Sequence, residues 1–421
     1  MRRAALLWGV FVLPGNGALF HAEAERVFPM NHTIHLKKQL RCIYLSNFFS
    51  GLRITDAVWV ALLAARGFSL WEIGLAESVY HIVSLLCEVP SGMAADLLGR
   101  KRALVAGGIL AVLSSLLMAF APGLFLICAA MGLNALSNAM FSGTDAALTY
   151  DSLKQAGQEE RYLSVAANRS QIGMLASALG SLASTLRRFL RFSGFYLVSA
   201  LFSSISTLAM LLLKEPVVTE AQAARSSHSL RELPGQFAQL VQDSAAALHG
   251  CPLAAKLIAA DAVISVPCYL TKMFLQQRLV ELGWPTEWLF LPLLLGGAAC
   301  VAGTEIGRRV HPHTLRRFYT VCALLVGAAP AWGGILGMML VQGVLEVWLL
   351  HADQRLNALI SSDQRATLIS VDSMAYSILM IPASPFVGAV GDLFGQAGAG
   401  LALLGVLTAA SGAAVLAKRR S

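Results

Sequence analysis

The chain has 421 residues, 56% of them hydrophobic and 13% charged, with a mean hydropathy of +0.64. Soluble domains carry about 25% charged residues, so this composition excludes an ordinary soluble domain and indicates a polytopic membrane protein whose main solvent is lipid. The net charge of +8 does not indicate a nucleic-acid partner, because the basic residues fall in short turns between apolar runs.

At the start, Arg2 and Arg3 precede the apolar run Ala4 to Leu13, and Ala22-Glu23-Ala24 has the form of a signal-peptide cleavage site. Cleavage there would leave the next segment starting outside. The charges that follow, Lys37, Lys38 and Arg41, instead read as a cytoplasmic lead-in. Either Met30 is the natural start or residues 1–29 are a peripheral segment.

From there the apolar runs predict twelve spans, each near the ~20 residues a bilayer requires. They run 41–64, 70–95, 102–121, 123–149, 162–186, 192–213, 252–280, 286–307, 315–331, 333–353, 366–391 and 397–417. The expected fold is all-α, with two pseudo-symmetric six-helix bundles: 30–213, and 251–421. Residues 214–250 form the linker. Leu230, Leu233, Phe237, Leu240, Val241 and Leu248 recur there at helical spacing, which predicts an amphipathic helix on the cytoplasmic face. Basic residues concentrate at the chain's start, in the turns after even-numbered spans and at Lys418 to Arg420. This places both termini in the cytoplasm and the protein in the inner (plasma) membrane. The cluster Arg187, Arg188, Arg191 runs against that rule.

Between spans two and three lies Gly92-x-x-x-Asp96-x-x-Gly99-Arg100-Lys101. The glycines permit close helix approach and chain reversal. The aspartate suits a helix terminus or a cation. Span eleven ends on the same spacing, Gly388-x-x-x-Asp392-x-x-Gly395, and Gly307-Arg308-Arg309 follows span eight. Internal repeats of this kind mark secondary transporters.

An ionisable group inside a span costs at least ~2.5–3.5 kcal/mol, so each is a functional candidate by default. Span one has Arg53 and Asp56, three apart and able to pair on one helical face. Span two has Glu77, His81, Ser84 and Glu88 as one stripe, expected to face a water-filled cavity. Further candidates are Asp145, Arg169, Asp261, Glu346 and Asp372. For Asp145 a structural latch to Arg169 or Arg100 is favoured over a solute contact. Glu72, Asp151 and Lys272 are discounted as lying near span ends. Span five repeats small residues at Ala176, Gly180 and Ser184, which suits tight helix contact. The seven cysteines (42, 87, 128, 251, 268, 300, 322) show no Cys-x-x-Cys and no metal spacing. No metal or cofactor is expected.

The loop from Gly92 to Lys101 closely resembles the signature loop between helices two and three of the major facilitator superfamily. The resemblance covers residues 37–417, and the stretch Ser142-Gly-Thr-Asp-Ala-Ala-Leu-Thr-Tyr-Asp151 is similar to that of a poorly characterised bacterial subgroup. It implies a monomeric secondary transporter, not an enzyme, that moves a small organic solute by rocking two halves. Proton-coupled efflux is the leading form, and solute import is the alternative. In the family's terms Asp96 holds a cytoplasmic gate against span eleven, and Arg100 pairs with an acid at the end of span four. Glu77, with Asp261 as its equivalent in the other half, is the proton-carrier candidate. The Gly-Pro motif of drug–proton antiporters is missing from span five, and their arginine from span four. Two other readings are weighed: a sensor without flux, and an intramembrane aspartyl protease using Asp151 and Asp392. The protease lacks its Gly-x-Gly-Asp, since position 389 is alanine.

Overall fold

The computed structural model describes residues 35–217, 251–307, 309, 331–359 and 365–417. The expectations for residues 1–29, for a helix within 218–250 and for the ninth span before Ala331 lie outside these. Among the described residues every regular element is a helix, as lipid demands of a chain that must satisfy its own backbone.

The first span is α1 (Leu36–Gly51) and α2 (Trp59–Ala64), separated by non-helical backbone. Then come α3 (Leu70–Leu98), α4 (Arg100–Phe120), α5 (Leu124–Phe141), α6 (Thr144–Gln155), α7 (Tyr162–Ser181) and α8 (Phe192–Leu211). The second set is α9 (Pro252–Glu281), α10 (Phe290–Gly307), α11 (Ala331–Leu359), α12 (Arg365–Leu393) and α13 (Ala397–Ala417). Eight helices among the described residues are long and apolar enough to cross a bilayer. Leu86, Phe125, Leu201 and Val301 stay on the outside of the bundle, where lipid is their solvent.

Helix ends follow local chemistry. Ser69 and Glu72 form a reciprocal capping box that starts α3, which gives Glu72 a structural role. Pro252 opens α9 at the position where its missing N–H costs nothing. The sequence reading starts the loop between spans two and three at Gly92, but α3 runs on to Leu98 and breaks at Gly99, whose φ is +103°. Gly395, two residues past the end of α12, also has a positive φ, +66°. Both positions suit a residue without Cβ.

The two helix sets meet most closely along α3 and α12. A Cβ on Gly74 would lie 2.5 Å from the Ser384 carbonyl oxygen, so the backbones nearly touch. Pro385 cannot donate to the Ile381 carbonyl one turn earlier. Ser78 of α3 supplies the missing donor, its Oγ 2.6 Å from that oxygen. A shared apolar layer continues the seal, with Val58 and Leu62 packed in one cluster with Leu270, Phe274 and Met380.

Candidate functional site

The site is built on the break in the first span. Arg53 and Asp56 do pair, with Nη1 3.9 Å from Oδ2, but not on a helical face as the sequence reading had it. They sit in backbone that turns tightly, where Arg53 N donates to Gly51 O at 2.8 Å and Ile54 N to Leu52 O at 3.0 Å. Irregular backbone at membrane depth persists only where protein or water satisfies it. Here the small residues of α7 let that helix support the break. A Cβ on Gly180 would lie 2.7 Å from Arg53 N, and the Ala176 methyl packs against Gly51. From the other helix set, Gln276 Nε2 donates to the Asp56 carbonyl at 2.8 Å, and its Oε1 accepts from Val60 N at 3.3 Å. One turn before Gln276 on α9, Lys272 places a second cation within electrostatic reach of Asp56 and Arg53. The sequence reading discounted Lys272 as a span-end residue. α9 ends at Glu281, one residue past the expected span, and Lys272 lies more than two turns inside it.

Next to the break, Glu77 and His81 are buried, with His81 Nε2 3.4 Å from Glu77 Oε1. The expected water-filled cavity is not what they face. Tyr269 of α9 hydrogen-bonds Glu77, and Ser377 Oγ of α12 lies 3.4 Å from His81 Nδ1. The His81 ring makes edge contacts with Tyr80, Tyr376 and Tyr269. The Tyr80 hydroxyl accepts from Asn138 at 3.1 Å. The lower part of the stripe differs: Glu88 is half-buried, and open space surrounds Gly92.

In the second helix set, Asp261 accepts from Trp348 Nε1 at 3.1 Å, a bond between α9 and α11 of the same set. Glu346 is buried beside Cys300, to which it is hydrogen-bonded, and near Cys268. Asp372 is half-buried on α12.

At the Ala65–Ser69 end the two sets are clasped. Asp392 accepts from Leu70 N at 2.9 Å and from Trp71 N at 2.7 Å. Its carboxylate thereby satisfies orphan donors at the start of α3. Ser184 Oγ donates to the Glu287 carbonyl at 3.0 Å, and Arg188 Nε lies 3.7 Å from the Glu287 carboxylate. That contact gives one of the three anomalous arginines a cross-set partner.

At the other end lie the ion pairs of the first set. Arg100 pairs with Asp151 and donates to the Ala147 carbonyl at 2.8 Å, matching the expected acid at the end of span four. Arg169 pairs with Asp145 and reaches Thr149 Oγ1 at 3.3 Å. Glu215, just past the sixth span, accepts from Arg100 N at 2.9 Å and Lys101 N at 2.7 Å. It caps α4, a role that sequence spacing does not reveal. The side chain of Asp96 lies outside what the structure describes, so its expected contact with span eleven does too. Removing one partner of the enclosed Arg100–Asp151 pair leaves a buried charge, which costs about 3–5 kcal/mol. Asp151→Ala is therefore expected to lower the unfolding temperature in detergent clearly, and Arg100→Ala,Asp151→Ala together to lower it less than either alone. Equal losses for singles and double would contradict this.

Asp151 and Asp392, the two aspartates of the protease reading, flank opposite ends of the 29-residue α3. At 1.5 Å per residue that is roughly 40 Å, which rules out a shared catalytic pair in this conformation.

Residues 43–350 match the sequence profile of the Major Facilitator Superfamily. The chain belongs to this superfamily. It is 26% identical over 178 residues to YxaM of Bacillus subtilis (strain 168), an uncharacterised MFS-type transporter. That match covers 41% of this chain and 44% of the relative, under half of the relative's length. The fold superposes on the nucleoside transporter NupG with a TM-score of 0.72 at 15% identity, covering 92% of this chain and 100% of the other. A POT family transporter in complex with 5-aminolevulinic acid gives 0.62 at 12% identity, covering 91% and 95%. The likeness confirms the superfamily fold expected from the sequence. Together with the family match it makes this chain a multi-pass membrane protein with that superfamily's fold.

Proposed function

We propose that this protein is a proton-coupled secondary transporter of a small organic solute, working by alternating access in the inner membrane as a monomer with both termini cytoplasmic. The observation that supports it most is the broken first span. Its charged pair is met by Gln276 and Lys272 of the opposite helix set, and discontinuous helices at a repeat interface are where secondary transporters bind solute. The contacts of Asp392, Ser184 and Arg188 close one end, so on this topology the conformation faces the cytoplasm. Asp96 and Gly92 would form the matching gate at the other end. Arg100, Lys101, Asp145 and Arg169 are the frame of the first half rather than solute contacts. Export is preferred over import by analogy within the superfamily alone.

The reading is tested in proteoliposomes carrying a pH-sensitive dye. Addition of a transported compound is expected to move protons, and an imposed proton gradient to drive its accumulation. Solute flux that ignores the gradient would make the protein a uniporter. Binding without flux would make it a sensor.

A further inference from the structure

The charges at the break are unequally available. Arg53 and Asp56 have 40% and 31% of their side chains exposed, and Lys272 is half-buried. The other acids near this layer are enclosed: Glu77 is 2% and Glu346 4% exposed. Glu77 is engaged by His81 and Tyr269, and Glu346 by Cys300. At the accessible surface of the break, two cations therefore converge on one carboxylate. One cation comes from each half of the bundle. Gln276, on the same face of α9 as Lys272, fixes that face against the Asp56 backbone and so brings the side of α9 that carries the second cation to the break.

We propose that this is the recognition site for a carboxylate group of the solute, with Arg53 and Lys272 as its specificity-determining cations and Asp56 as the internal carboxylate it displaces. The inference rests on the transporter reading above and adds the substrate class. A lysine inside a span is costly to insert, and the cost is offset when an anion completes the site. Because the cations belong to different halves, a bound carboxylate bridges them, whereas without solute Asp56, paired with Arg53 and within electrostatic reach of Lys272, holds that place. Binding and release would thus trade one carboxylate for another between the two cations. Without solute the cluster of two cations and one carboxylate carries one net positive charge, which low-dielectric surroundings penalise, and a bound carboxylate balances it.

The test uses the purified full chain in detergent with matched probes: benzoate, hexanoate and succinate, their amides, and the corresponding amines. Carboxylates are expected to raise the unfolding temperature by about 2–4 °C and the amides and amines not to. Lys272→Gln and Arg53→Gln should abolish the response, and Lys272→Arg, which keeps the charge, should retain at least half of it. Each variant is first shown to unfold cooperatively without ligand, and Lys272→Arg preserves the test if the glutamine variants do not fold. Stabilisation by amines or amides equal to that by acids overturns the carboxylate assignment. So does a carboxylate response that survives Lys272→Gln, or silence from every acid. None of these touches the transporter reading, which fails instead if no compound of any class produces flux or proton movement in proteoliposomes.

Discussion

Gly388→Leu is expected to hold the Ala65–Ser69 end of the bundle apart and to reduce transport severely. A Cβ at Gly388 would lie 2.8 Å from Trp71 N and closer still to the Leu70 carbonyl, all of it backbone that cannot swing away. The same two residues bring their N–H groups to Asp392. Adding a side chain therefore separates the carboxylate from its donors as well as the helices from each other. Overpacking of this kind costs about 1–3 kcal/mol. Charged against one of two states, that is roughly a 5- to 150-fold shift in their balance. The check is the distance between spin labels at Ala65 and Phe394, both exposed at this end. It should lengthen in Gly388→Leu and lengthen partly in Asp392→Ala, which removes the cap but not the fit. An unchanged distance distribution together with unchanged flux would show that this contact is not a gate.

The sequence carried the helical architecture because lipid enforces it. An apolar run near ~20 residues has few alternatives to a spanning helix, so the described helices fall close to the expected spans. The pairs within one half were also legible. Arg100 found its acid at Asp151, and Asp145 found Arg169, because both pairings follow from neighbouring span ends. What could not be read was anything decided between halves. The break after Gly51 contains no proline and no further glycine before Trp59. It is stabilised by Gln276 and by the close approach of Gly180, both far away in sequence. The proximity of Lys272 to Asp56 and Arg53 is likewise decided between halves and carries no signal in the local sequence. Tyr269 and Tyr376 carried no signal of their own, because an aromatic in a span reads as packing until its neighbour is known. A usable hint did exist in Tyr269, Lys272 and Gln276, which recur at helical spacing on one side of α9.

Glu77→Gln is expected to remove proton coupling while solute exchange persists, whereas Asp261→Asn should leave coupling in place. From sequence the two residues are equivalent candidates, and geometry separates them. Glu77 is on α3, but its partner Tyr269 is on α9, and His81 beside it meets Ser377 on α12. If the two halves part at this layer, Glu77 loses a hydrogen-bond donor and gains water. A site whose solvation and hydrogen bonds both change with the motion is where coupling to a second ion can be built. His81, 3.4 Å away, is placed to pass a proton on. Asp261 instead bonds Trp348 on α11, within one half. A rocking motion carries both together and leaves that bond as it was. The measurement is paired: solute counterflow, which needs no net proton movement, and solute uptake driven by a pH gradient. Glu77→Gln should keep the first within about threefold of wild type and lose at least ~90% of the second, a loss that corresponds to about 1.4 kcal/mol or more of coupling. Asp261→Asn should reduce both in parallel, through stability. If Glu77→Gln keeps full gradient-driven uptake, the proton site lies elsewhere or the driving ion is not a proton, and the cross-half contact at Glu77 is only a seal; if Asp261→Asn alone abolishes it, the site lies in the second half.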